Sequence, residues 1–182
     1  LLELLGLQFE VSGSNIEEVY NLTDPREIVR YLASAKARDV AKTYPEGLII
    51  GADTIVVLDD QILEKPSDEK EAFDMLMTLS NRSHLVYTGV CLIHKSHSSV
   101  QEYTFFEQTK VIFASLDEDE VWSYIQSGSP MDKAGAYGIQ DDYGAVFVKR
   151  IEGDYYNVVG FPLHAFYQNI KTIIPDLFES SK

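Results

Sequence analysis

Basic residues, cysteine and long apolar runs are what this sequence has least of. Its 15 Lys and Arg stand against 29 Asp and Glu, a formal net charge of −14. That balance argues against nucleic acid as the main partner, because a phosphate backbone needs a basic surface. A small anionic substrate would be held against the general field. It would need a local cluster of Lys or Arg, or a divalent metal, to offset the repulsion. The one cysteine, Cys91, lies in an apolar run, so no disulfide can form within the chain. This suits a reducing, intracellular setting. No stretch approaches the ~20 apolar residues that span a bilayer, and no signal peptide opens the chain, so no membrane is expected. No linker and no internal repeat interrupt the 182 residues, which predicts a single domain over 1–182.

What the chain has in abundance is concentrated between Leu48 and Pro66, LIIGADTIVVLDDQILEKP. The run is rich in β-branched residues and reads as a strand buried on both faces. Asp59-Asp60 makes a short turn, and Gln61 to Leu63 begins a partner strand. Asp53 is a carboxylate in the middle of this apolar run, costly to bury unless it is paired, hydrogen-bonded or holding a metal. It is either satisfied by backbone N–H groups at a bulge or part of a site. Gly51 and Ala52 before it leave room for a ligand or another backbone to approach closely. Lys65, held by Pro66, supplies a cation beyond the turn.

Elsewhere the punctuation predicts the elements. Leu1 to Gly6 reads as the last turns of a helix capped by Gly6, which implies that something precedes it. Gln8 to Ser12 reads as a strand, and Gly13 to Leu22 as a loop carrying Glu17 and Glu18. Asp24, Pro25 and Glu27 open a helix that runs to about Lys42. Lys36 falls in the buried stripe of that helix, between the rows Ile28, Leu32, Val40 and Val29, Ala33, Ala37, Ala41. It either snorkels from the core edge or is a cation aimed into a polar pocket. From the stripe alone, Lys36→Met would cost no stability. Ser67 is expected to cap a helix over Asp68 to Leu79, with Ala72, Phe73, Leu76 and Leu79 inward. His84 to His94 reads as a strand interrupted by Tyr87-Thr88-Gly89, followed by a hairpin tip and a long strand to Phe113. Asp117 to Glu120 opens a helix burying Val121, Trp122 and Ile125. SPMDKAGAYGIQ, from Ser129 to Gln140, has the small and polar composition of a binding loop or of a plain surface loop. Gly144 to Ile151 and Tyr155 to Val159 read as a hairpin, and Pro162 opens a last helix that stops before Pro175.

Taken together, GADTIVVLDDQILEKP, the Tyr87-Thr88-Gly89 step, GSPMDKAGAYGIQ and GDYYNVVGFPL resemble the Maf family of nucleotide pyrophosphatases, in order and spacing from residue 1 to about 174. The resemblance implies an α/β fold with a mixed, strongly twisted sheet flanked by helices and a nucleotide cleft between two lobes. It implies hydrolysis of nucleoside triphosphates to monophosphate and pyrophosphate with a divalent cation, Mg²⁺ or Mn²⁺, in a cytoplasmic homodimer. Asp53 falls on the catalytic acid, assigned as the proton acceptor. Thr54 and Gln140 fall on positions tied to base selection, with identities similar to the dTTP and UTP branch. Lys36 matches the lysine of the family's KA step in the first long helix, Lys65 the lysine before proline and Glu18 the glutamate in the early loop, and Asp132 and Lys133 match its DKAG step. Glu18 and Asp53 are the expected metal ligands, and Asp53 has two candidate roles, base or ligand. The family's Ser-x-Ser-x-Arg-Arg phosphate-binding motif, which would stand ahead of Leu1, is absent from this sequence. Either the sequence lacks its beginning or the member is degenerate, and a degenerate member would be a nucleotide-binding regulatory protein without turnover. Asp141-Asp142 after Gln140 also departs from the pattern and adds negative charge beside the base position.

Overall fold

A computed structural model describes residues 1–175 of the chain. The elements are α1 (Pro25–Ala41), β1 (Gly47–Leu58), β2 (Gln61–Leu63), α2 (Glu69–Leu79), β3 (Ser83–Ser96), β4 (Ser99–Phe113), α3 (Glu118–Gln126), α4 (Asp142–Phe147), β5 (Val148–Glu152), α5 (Tyr155–Val159) and α6 (Leu163–Ile173). The strands form one open sheet in the order β2-β1-β3-β4-β5. The α/β sheet with flanking helices is the expected one, and both of its edge pairs run antiparallel. Asp59 and Asp60 both take left-handed backbone, φ 49° and 63°, as a two-residue hairpin requires, and place Leu58 opposite Gln61. No helix among the described residues is long and apolar enough to cross a membrane.

The chain forms two compact units, and β1, β3 and β4 contribute residues to both. The first comprises Leu1–Asp53, Thr88–Glu107 and the segment from Gly160. Its core has two parts. Ala33, Ala37 and Ala41 of α1 pack with Ile49, Cys91 and Ile93, and Phe166 and Ile170 of α6 pack with Val90 and Leu92. The small residues of α1 let it lie close on the sheet. A Cβ at Gly51 would fall 2.4 Å from the Ala33 carbonyl oxygen, and one at Gly89 2.2 Å from that of Val29. Of the two uses expected for the gap at Gly51, it is the approach of another backbone that the fold makes. The second unit comprises Thr54–Tyr87 and Gln108–Val159. Leu76 and Leu79 of α2, Val121, Tyr124 and Ile125 of α3, and Val86, Val111 and Phe113 of the sheet form its core.

Several local expectations give way to tertiary context. Gln8 to Ser12 is not a strand: Phe9 and Val11 are exposed, with no sheet face to receive the alternation. The first half of β1 buries one face fully and the other partly, so it is less enclosed than its composition implies. β3 runs unbroken through Tyr87-Thr88-Gly89, because Gly89 serves helix contact and not a bend. Asp68, not Ser67, caps α2: its carboxylate accepts from the Glu71 N–H, while Glu71 accepts from the N–H and hydroxyl of Ser67. On α3 it is Tyr124 that is buried. Trp122 stays at the surface, stacked on Phe73 at 4.7 Å. The expected hairpin after Gly144 is instead α4, β5 and α5, with only β5 joining the sheet beside β4. Tyr155 to Val159 turns helical and buries Asn157, whose amide donates to the Val86 carbonyl and to Thr109 Oγ1.

Candidate active site

In the first unit the sequence-predicted residues Lys36, Asp53 and Glu18 meet. The period-2 alternation of β1 puts Ile49, Gly51 and Asp53 on the face that α1 covers. The helical period of α1 brings Lys36 to that same contact, three residues after Ala33. Lys36 Nζ lies 2.5 Å from Asp53 Oδ1 and 2.7 Å from Glu18 Oε1. The Asp53 side chain is 8% exposed, that of Lys36 26% and that of Glu18 53%, so the cluster grades from dry to wet. Burial acts most strongly on Lys36 and by itself would lower its pKa. The hydrogen bonds and charges of Asp53 and Glu18 together outweigh it and hold the pKa above the ordinary value. The Lys36 ammonium ends against two carboxylates, with 26% of its side chain exposed.

The two carboxylates converge on one cation, and hard oxygen donors of this kind suit Mg²⁺ or Mn²⁺. Among the described residues no group of three or more His, Cys, Asp or Glu side chains could hold a metal. Two carboxylates still fit an ion of the Mg²⁺ type, which commonly takes one or two from protein and the rest from water and phosphate.

In the second unit Lys133, Asp132 and Lys65 come together. Ser129–Asp132 and Ala134–Ala136 are short 3-10 turns, and Lys133 stands at their junction. Lys133 Nζ donates to the Ser129 carbonyl at 2.6 Å and to Asp132 Oδ1 at 2.8 Å, and it pairs with Asp141 Oδ2 at 3.0 Å. Burial is the largest single influence on Lys133 and lowers its pKa. The hydrogen bonds to Asp132 and Asp141 reverse the sign, so the net shift is upward. Asp132 is held below the usual carboxylate range by Lys133 first, with the charge of Lys65 contributing. The Gly135 N–H donates to the Glu64 carbonyl at 3.1 Å, which pins this loop to the residue before Lys65. Thr54 is half-buried in β1, and Gln140 is exposed where the loop ends.

Two partners in this loop were not among the predicted site residues. Asp141 stood out in the sequence only as extra charge. Eight positions from Lys133, across a glycine-broken loop, no periodicity marks it as that lysine's partner. His84 Nε2 lies 2.7 Å from the Tyr137 hydroxyl, both buried, with Phe113 edge-on to each ring. His84 Nδ1 is buried without a hydrogen-bond partner, and burial drives the imidazole pKa down to about 4. The same burial pushes the Tyr137 phenol up. An apolar strand start flanking a histidine gave no hint of a phenol 53 residues away.

The profile described as Maf-like protein matches residues 1–173. The chain belongs to the Maf family. Its Maf relatives include a dTTP/UTP pyrophosphatase of Geobacillus sp., 48% identical over 174 residues, which cover 95% of this chain and 91% of that protein. Another, from Salinibacter ruber, is 46% identical over 182 residues, covering 100% of this chain and 88% of the other. A third, from Thermococcus kodakarensis, is 48% identical over 162 residues, covering 88% and 84%. All three carry the name dTTP/UTP pyrophosphatase.

Proposed function

We propose that this Maf protein hydrolyses nucleoside triphosphates, dTTP and UTP foremost, to the nucleoside monophosphate and pyrophosphate. The observation that carries the reading is a carboxylate, Asp53, buried on a strand and held 2.5 Å from a lysine. The names of the relatives support the substrate class. A triphosphate is a shielded electrophile, so catalysis is charge neutralisation and the positioning of water. Asp53 orients the water and takes one of its protons as the new P–O bond forms at the α-phosphorus. The bond from that phosphorus to the α,β-bridging oxygen breaks, and pyrophosphate departs. Lys36 is paired with Asp53 and adds positive charge. Glu18 and Asp53 would hold a divalent cation, which supplies further neutralisation of phosphate oxygens when bound. Thr54, next to Asp53 in β1, and Gln140 select the base, and Lys65 and Lys133, with Asp132 beside them, hold phosphate oxygens. A cytoplasmic homodimer acting on a free nucleotide, away from nucleic acid and membrane, completes the proposal. Sedimentation tests the dimer.

A panel of triphosphates, with and without Mg²⁺, tests the reaction. Turnover in oxygen-18 water should put the label in the monophosphate and leave pyrophosphate unlabelled. Label in pyrophosphate would mean that Asp53 serves the β-phosphorus, and no pyrophosphate release from any triphosphate would sink the reading.

A further inference from the structure

Lys133 is already engaged by acceptors within the protein. An ammonium has three N–H donors, and three acceptors surround this one: the Ser129 carbonyl at 2.6 Å, Asp132 Oδ1 at 2.8 Å and Asp141 Oδ2 at 3.0 Å. The two carboxylates are not equivalent. Asp132 is 80% exposed, and a carboxylate so open to water is a weak, screened partner. Asp141 is 25% exposed and also accepts from Ser129 Oγ at 3.2 Å. The pair sits directly over Gly138. A Cβ there would fall 2.4 Å from Asp141 Oδ2 and 2.9 Å from Lys133 Cε, so only the bare backbone admits the contact. The Asp141 N–H donates to the Gly138 carbonyl at 3.0 Å, which fixes the backbone from which the carboxylate reaches back.

Phosphate oxygens of an incoming nucleotide need the same donors that Asp141 takes. We propose that Asp141 is an internal anion that occupies Lys133 until substrate phosphate displaces it, so that it sets the affinity for, and the discrimination among, anionic ligands. This rests on the reading that Lys133 holds substrate phosphate. A ligand that wins the lysine must break the pair and then lie beside a freed carboxylate. That repulsion grows with the ligand's charge, so it falls hardest on the triphosphate end and on inorganic polyphosphate. As product departs, Asp141 recovers the lysine.

Asp141→Asn keeps the shape of the side chain and removes its charge. The expected result is a fall in KM for dTTP of about three- to fivefold, the size of a partly exposed ion pair, with kcat unchanged or lower. Competition by inorganic tripolyphosphate should tighten more than competition by inorganic phosphate. Asp141→Ser guards against a folding fault in the first variant and should move KM the same way. Asp141→Glu should keep KM high. Lys133→Met is measured alone and in the Asp141→Asn background. If it raises KM in the wild type and erases the gain of Asp141→Asn, the inference stands. If Lys133→Met weakens binding while Asp141→Asn leaves KM unchanged or raises it, Asp141 only positions the lysine, and the inference fails with the reading intact. If Lys133→Met leaves KM unmoved, the role assigned to Lys133 is wrong and the inference falls with it.

Discussion

Lys36 and Lys133 each stand between two carboxylates, and the fold holds them in different ways. Lys36 projects from a seventeen-residue helix onto a strand, and its main partner, Asp53, is 8% exposed. Two periodicities, 3.6 on the helix and 2 on the strand, place the pair before any side chain chooses a partner. Lys133 stands at the junction of two 3-10 turns, and its acceptors are a carbonyl and two carboxylates of the same loop. Glycine positions, the Gly135 N–H on the Glu64 carbonyl, the Gly138 N–H on the Tyr124 hydroxyl and the buried contact of Tyr137 with His84 hold that loop in register. A pair set by regular elements keeps its geometry when a ligand arrives, which is what a proton acceptor needs. A pair set by a loop can exchange one partner for another, which is what a ligand-binding cation needs.

The sharpest way to break the contrast is at Asp53. Asp53→Asn keeps the hydrogen-bonding shape and removes the proton acceptor, so kcat should fall at least a hundredfold, the usual scale of general-base catalysis. Circular dichroism should show the fold retained. A variant that keeps more than about a tenth of wild-type kcat, a loss under ~1.4 kcal/mol, would show that Asp53 is not the base.

How far each region could be read beforehand follows from the same difference. Asp53 announced itself as a lone carboxylate in an apolar run, and Lys36 as a cation in an apolar stripe, because burial makes both costly unless they are paired. Their mutual contact is the natural solution to two such costs. The hairpin at Asp59-Asp60 and the cap at Asp24 were legible for similarly local reasons, a turn and a helix start each written in a few residues. The loop around Lys133 has no period, so DKAG could be recognised by resemblance but its wiring to Asp141 could not be derived. Gln8 to Ser12 forms no strand because alternation says which residues share a face, not whether any sheet covers it. The helix over Tyr155 to Val159 depends on burying Asn157 against Val86 and Thr109, contacts far away in sequence.

Acid should separate the two regions next. Burial depresses His84 to about 4, below its ordinary 6.5. Between those values the unfolded chain takes up a proton that the folded chain refuses. Stability from this group is therefore complete above pH 6.5, falls as the pH drops toward 4, and changes no further below that. The total loss is about 3 kcal/mol. Urea unfolding of wild type and His84→Gln at pH 7, 5.5 and 4.5 reads the difference, and the variant should lack that part of the slope. Amide protection factors at 133–140 should fall in mild acid before those in β1 do. Equal slopes in the two proteins would remove His84 as the loop's acid-sensitive anchor.

The smallest effect is also the most direct comparison of the two lysines, their replacement by methionine. The apolar stripe of α1 taken alone implies that Lys36→Met costs nothing. The ion pair reverses this, because the change strands a carboxylate that is 8% exposed. Breaking a fully buried pair from one side costs about 3–5 kcal/mol. Lys36 is itself a quarter exposed and Glu18 lies half in water, so water offsets part of that loss. About 2 kcal/mol of destabilisation is the expected result. Lys133→Met leaves behind Asp132, which is 80% exposed and hydrates freely, and Asp141, which keeps its bond from Ser129 Oγ. Its cost should stay near or below ~1 kcal/mol, the range of an exposed pair. Chemical unfolding of the two variants beside wild type, at neutral pH and moderate salt, decides. The order of the two losses matters more than either size. If Lys133→Met cost as much as Lys36→Met, the loop pair would be as deeply built in as the strand pair, and Asp141 could not serve as an anion that substrate displaces.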